Sequence, residues 1–138
     1  ANVDQDVCMF FADDSLVARR KIVEVLDKLG VKHKHATNGA EAWSRLQGIA
    51  AHATQTGRSV RDELRLILVD AEMPEMDGYV LTKNIKGDLR FTGIPVVMHS
   101  SLSSQANHAM GKAVGVDAYV AKFDAEALAD TLRPLLEH

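Results

Sequence analysis

"LILVDAEMPEMDG", Leu66 to Gly78, is the stretch that decides how this chain folds. Four consecutive apolar residues with no helical spacing read as a strand buried on both faces. The run stops at Asp70, and Glu72, Pro74, Glu75, Asp77 and Gly78 crowd in behind it. A strand meant for burial therefore delivers a carboxylate to its own end. The rest of the sequence has to explain why.

Outward from this strand, strand and helix signals alternate in both directions. "VCMFFAD" (Val7 to Asp13) is another short apolar run ending in acid. It is followed by "SLVARRKIVEVLDKLG", where Ala18, Ile22, Val25, Leu26 and Leu29 share one helical face. Asp14 or Ser15 can cap this helix, and Gly30 stops it. "VKHKHAT" alternates like a less buried strand and runs into an Asn38-Gly39 turn. A second helix is expected from "AEAWSRLQGIAAHA", with Ala42, Trp43, Leu46, Ile49, Ala50 and Ala53 inward. The polar "TQTGRSVRDE" reads as a loop or an exposed helical extension.

After the opening strand comes a short helix, "GYVLTKNIKG", packed through Val80, Leu81 and Ile85. "IPVVMHSS" is a strand ending in the hydroxyls of Ser100 and Ser101, and "SSQANHAMGKAVG" is a weak helix. "VDAYVAK" is the fifth strand, and "DAEALADTLRPLLE" the last helix, capped by Asp124, with Pro134 kinking or weakening its final turn. Five strands alternating with helices imply parallel βαβ units and a sheet covered on both faces.

Composition bounds the rest. The 138 residues suit one domain, 1–138, with a sizeable core. Apolar content of 46% and charged content of 25% are ordinary for a soluble globular protein. A net charge of −3 without a basic cluster argues against a nucleic-acid partner. No apolar run has the roughly 20 residues a membrane span needs, so no membrane insertion is expected. A single cysteine, Cys8, permits no internal disulfide; with no leader at the start, a cytoplasmic location is expected.

Ligands of open α/β sheets sit beyond the carboxyl ends of the strands. There this chain brings Asp13 and Asp14, Asp70, Ser100 and Lys122. Three carboxylates this close raise one another's pKa unless a cation intervenes. A hard divalent ion such as Mg²⁺ takes one or two carboxylates, keeps waters and accepts a phosphate oxygen. A carboxylate beside it can attack phosphorus, while a lysine and a hydroxyl can hold the phosphoryl oxygens.

With Asp13-Asp14, "DAEMPEMDG", "PVVMHSS" and "YVAK" in this order, nearly the whole chain resembles the receiver domain of two-component response regulators. The resemblance implies a flavodoxin-like doubly wound α/β fold: a five-stranded parallel sheet in order 2-1-3-4-5 with five helices. It makes Asp70 the phosphoacceptor. Asp13, Asp14 and Asp70, with the backbone carbonyl of Glu72, become the Mg²⁺ (or Mn²⁺) ligands. Lys122 takes the phosphoryl-binding role, Ser100 that of switch hydroxyl and Tyr119 that of switch aromatic. The implied partners are a histidine kinase as phosphodonor and a downstream protein on the face of the fourth helix, fifth strand and fifth helix. The implied module is a signalling switch and not an enzyme. "VVMHSSLS", "DAEMPEMDGY" and "YVAKF" are most similar to the receiver of CheV-type chemotaxis coupling proteins.

Two departures stand out. Phe123 follows Lys122 where most receivers have proline, which affects the last loop. The interval from Asp14 to Asp70 is also longer than a compact receiver needs, so the second helix or its following loop is extended around 48–63. Two other functions remain open at this level: a Mg-dependent phosphohydrolase with an aspartyl nucleophile, and an interaction module that works without phosphorylation. The remaining motifs carry less. His33 and His35 make half a metal site at most, on a solvated strand face. His99 is expected to be a satisfied buried histidine, Cys8 a core filler, and Arg19-Arg20-Lys21 a solvated helix face.

Overall fold

A computed structural model of the chain describes residues 8–101 and 105–137. Five strands form one sheet, in the order β2-β1-β3-β4-β5, and every neighbouring pair is parallel. The strands are β1 (Cys8–Ala12), β2 (Lys32–Ala36), β3 (Leu66–Asp70), β4 (Val96–Ser100) and β5 (Ala118–Ala121). The helices are α1 (Leu16–Leu29), α2 (Gly39–Gln55), α3 (Val60–Glu63), α4 (Gly78–Lys86), α5 (Gln105–Val114) and α6 (Ala125–Leu136). A 3₁₀ turn, Leu89–Phe91, precedes β4. Val7 and the serines ahead of α5, both assigned to elements from the sequence, lie outside the described residues.

The pleat sorts the apolar residues into two cores. Met9 and Phe11 of β1, Leu66 and Leu68 of β3, Val97 and Val120 pack with Ile22, Leu26, Leu128 and Leu132 of α1 and α6. Phe10, Ala12, Ile67, Val69, Val96 and Met98 pack on the opposite face with Ala42, Leu46, Leu81 and Ile85 of α2 and α4. Successive side chains of a strand point to opposite faces, so uninterrupted apolar runs are what a sheet covered on both sides requires. β2, at the edge, is mostly exposed.

Helix boundaries follow their caps. Ser15, not Asp14, caps α1 by accepting from the Ala18 amide at 3.2 Å, and Gly30 ends that helix at φ 74°. Asn38 caps α2, Asp77 caps α4 and Asp124 caps α6. Val80, expected inward on α4, is exposed; Thr82 is buried there beside Leu81 and Ile85. Pro134 stands inside α6, which nevertheless continues to Leu136.

Among the described residues there are six α-helices where five were expected, because the extra residues after α2 fold into α3. Ser59 and Asp62 form a reciprocal capping box around it. Ala53, Val60 and Leu64 are all buried in the α2 core. Glu63 pairs with His52 at 2.9 Å and with Arg58 at 3.6 Å. The extension is thus helical and mostly exposed, as one of the two expectations had it, and it is closed by its own caps and anchored through Val60 and Leu64. The expected fourth-helix, fifth-strand, fifth-helix face corresponds to α5, β5 and α6.

Candidate functional site

Register brings the acids together. Ala12 is opposite Val69 in the β1–β3 pairing, so Asp13, one residue past β1, falls beside Asp70 at the end of β3. Ser100 is opposite Ala121 in the β4–β5 pairing, which sets Lys122 one residue further along. Carboxylate oxygens of Asp13, Asp14 and Asp70 all lie within 4.8 Å of one another. The Lys122 ammonium sits 2.9 Å from Asp13 and 3.1 Å from Asp70.

Burial gives this cluster its chemistry. Asp13 is 0% and Asp70 3% exposed, whereas Asp14 is exposed. Desolvation, and secondly the Asp13 carboxylate, push the Asp70 carboxyl up to about 8; Lys122 opposes both effects. The lysine's own pKa is raised: burial pulls it down, and the two acids more than offset this. One ammonium against three carboxylates leaves an excess of negative charge. Oxygen ligands on a partly open acidic site are what a hard divalent cation takes, so the residues present fit Mg²⁺.

The surrounding backbone holds the acids in place. Asp13 accepts from the Ser15 amide at 2.9 Å, and its carbonyl accepts from the Arg19 guanidinium at 2.9 Å. Arg19 is therefore a brace for the acid pair and not part of a solvated run. Sequence reading missed this, although Arg19 stands in the first turn of α1, six residues after Asp13, where a long side chain can fold back over the helix start. Gly78 packs so closely on the Asp70 carbonyl that a Cβ would collide with it. The Glu72 amide approaches the Asp70 carboxylate at 3.3 Å.

On the other face of β4, Ser100 is fully buried, and its hydroxyl donates to the Glu72 carboxylate at 2.6 Å. Sequence reading gave Glu72 a backbone role; here its side chain holds the expected switch hydroxyl. Tyr119 is half-buried, its ring 4.1 Å from that of His108 on α5. Burial first, and then the neighbouring Tyr119, push the Tyr79 phenol up to about 12. The two tyrosines are thus one unit beside the site.

The other candidates resolve simply. His33 contacts Asp27 at 3.3 Å, and His35 stacks on Phe11 at 5.4 Å. Among the described residues only Asp13, Asp14 and Asp70 gather as ligands for a metal. Burial raises the pKa of the Cys8 thiol, which suits a packing role. His99 is buried as expected but unsatisfied, since its Nδ1 has no hydrogen-bond partner. The Lys122–Phe123 peptide is cis. No helix among the described residues is long and apolar enough to cross a membrane.

Comparison with known proteins agrees with this geometry. CheV3, a chemotaxis protein of Helicobacter pylori, is 33% identical over 129 residues, covering 94% of this chain and 40% of its own length. CheY1 of Helicobacter pylori, also a chemotaxis protein, is 30% identical over 130 residues, covering 93% of this chain and 95% of itself. The chain thus spans about 40% of the length of the CheV relatives it matches and nearly all of CheY1. Among solved structures, the chemotaxis response regulator CheY4 of Vibrio cholerae superposes with a TM-score of 0.78 at 25% identity, covering 94% of this chain and 98% of that one. The sequence matches the response regulator receiver domain family over residues 9–133, and the chain, with its five-stranded sheet and its acids at the strand ends, belongs to that family.

Proposed function

We propose that residues 1–138 act as a single phosphorylation-dependent signalling switch in which Asp70 accepts a phosphoryl group from the phosphohistidine of a histidine kinase. The observation that carries this reading is the buried Asp13–Lys122–Asp70 contact beside Asp14. An Asp70 carboxylate oxygen attacks phosphorus, the phosphorus–nitrogen bond of the donor breaks, and the imidazole leaves with the electron pair. The product is an acyl phosphate on Asp70. Asp13, Asp14, Asp70 and the Glu72 carbonyl would hold Mg²⁺ or Mn²⁺, which when bound neutralises charge on the transferring phosphoryl group. Lys122 moves from bridging two carboxylates to pairing with a phosphoryl oxygen.

Ser100 is the donor on the opposite side. When its hydroxyl turns from Glu72 to the phosphoryl group, it vacates space near Tyr119 on the neighbouring strand β5. Tyr119 then turns inward and remodels the α5–β5–α6 face, where a downstream protein binds. This is a two-state element biased by one local charge change. The likeness to CheV and CheY proteins supports a place in chemotaxis signalling in the cytoplasm. Its transfer chemistry serves signalling, with autodephosphorylation resetting the switch. Acetyl phosphate with Mg²⁺ is expected to add one phosphoryl group, detectable as an intact-mass increase, and none to Asp70→Asn. Undiminished labelling of Asp70→Asn would overturn the assignment.

A further inference from the structure

Glu72 holds Ser100, and the segment that begins at Glu72 ends on a residue that holds Tyr119. Tyr79 stands in the first turn of α4. Like Tyr119 it is half-buried and packs against the α2/α4 core. The Tyr79 hydroxyl is hydrogen-bonded to that of Tyr119, and the bond favours the protonated Tyr79 phenol, so Tyr79 is the donor. The Glu72 charge acts on this phenol in the same sense, and Glu72 and Tyr79 line one open cleft with Asp14 and Met110.

Two residues of α5 bound the Tyr119 ring. It lies 4.1 Å from the His108 ring at 32°, and a Cβ on Gly111 would stand only 3.2 Å from its Cδ2. Glycine at that position lets the ring lie close against the helix. Register sets Tyr119 opposite Met98, two residues before Ser100 on β4, so Tyr119 and Ser100 face the same side of the sheet. The ring is thus packed along its length and hydrogen-bonded at its tip. Apolar contacts are non-directional and can be exchanged for others, whereas a hydrogen bond weakens steeply once its angle falls. Any rotamer change of Tyr119 therefore breaks the bond from Tyr79.

We propose that Tyr79 is a positioning residue for the switch: its hydroxyl holds Tyr119 against His108 in the unphosphorylated chain. The segment from Glu72 to Tyr79 then clasps both switch residues, Ser100 at one end and Tyr119 at the other, and phosphoryl uptake has to release both. The effect on uptake rests on the switch reading above; the placement of Tyr119 by Tyr79 does not.

Tyr79→Phe keeps the ring and its packing and deletes only the donor. Aromatic NMR of the intact protein reads the contact between the ring at position 119 and that of His108, with and without beryllofluoride and Mg²⁺. In the free protein this cross-peak is expected to weaken in Tyr79→Phe. Beryllofluoride affinity is expected to rise roughly fivefold, the worth of one net hydrogen bond. Tyr119→Phe removes the acceptor of the same bond, so combining it with Tyr79→Phe is expected to add no further gain. An undiminished cross-peak in free Tyr79→Phe overturns the proposal. So does an unchanged or lower affinity, or a further additive gain in the double variant, where beryllofluoride displaces Tyr119 in wild type. A cross-peak that persists in beryllofluoride-saturated wild type overturns the switch reading instead, and the comparison of the free proteins then decides the role of Tyr79.

Discussion

The Ser100 hydroxyl donates to both carboxylate oxygens of Glu72, at 2.6 and 3.1 Å. The group expected to steady a phosphoryl oxygen is thus already held by a carboxylate, the nearest protein equivalent of that oxygen. Phosphorylation must therefore break one charge-assisted hydrogen bond to make another. Glu72→Ala removes the competitor and a negative charge near the incoming group. The affinity for beryllofluoride is expected to rise roughly fivefold, since a net hydrogen bond is worth about 1 kcal/mol. An unchanged or lower affinity in a fluorescence or NMR titration would show that Glu72 does not compete for Ser100.

Asp70 should weaken the metal-free fold as pH rises. Its carboxyl titrates at about 8 when folded, against an unperturbed 3.8. Protons are thus held more tightly by the folded state; this stabilisation is fully present below the unfolded value and is lost as pH rises through the folded one. Thermal melts in EDTA should show the loss between about pH 4 and pH 8, and Asp70→Asn should remove it. The variant is expected to be more stable than wild type by a few kcal/mol at neutral pH without metal. Adding Mg²⁺ should raise the melting temperature of wild type more than that of Asp70→Asn.

His99 imposes the opposite slope at acid pH. Its folded pKa is about 4, and the unfolded chain protonates near 6.5. The unfolded state binds the extra proton first, so stability present above pH 6.5 falls as pH drops towards 4, by roughly 3 kcal/mol. Urea unfolding of wild type and His99→Leu at pH 7 and pH 4.5 checks this. The variant should lose clearly less stability over that interval.

Removing the Lys122 charge should damage the site more than the fold's periphery would suggest. Lys122→Met leaves Asp13 and Asp70 buried without their bridging cation. Breaking a buried pair costs about 3–5 kcal/mol, less whatever Asp70 recovers by taking up a proton. Beryllofluoride binding should weaken by more than tenfold. Binding equal to wild type would deny Lys122 its phosphoryl-pairing role.

Two glycines should respond in opposite directions. A Cβ on Gly78 would drive into the Asp70 carbonyl, while one on Gly48, in the middle of α2, meets nothing. Gly78→Ala is expected to destabilise by about 2 kcal/mol or more, as backbone overpacking does, and to impair phosphoryl uptake. Gly48→Ala is expected to stabilise by roughly 0.5–1 kcal/mol, because alanine loses less conformational freedom in a helix. Chemical denaturation of the two variants decides both.

Much of this protein was legible in its sequence because short-range rules produced it. Apolar runs too short for helices made the strands, and their termination in Asp70, Ser100 and Lys122 placed those residues at one edge of a parallel sheet. Ser15 was one of two possible caps for α1, and Asp124 was the named cap for α6; both are hydrogen-bonded as caps in the structure. The lengthened region after α2 was also visible as excess residues. Its folding into α3 was not, because that depends on Val60 and Leu64 reaching a core built by distant segments.

Tertiary structure alone decided the rest. No local pattern could give Glu72 to Ser100 across 28 positions, or Lys21 to the Phe123 ring. Nor could it leave His99 buried with an unpaired nitrogen. Backbone propensity and hydrophobic period act over a few residues, and they set which elements form and which residues end them. Side-chain partners, burial and the resulting shifts in pKa depend on which ends the sheet brings side by side, and that is fixed only when the strands pair.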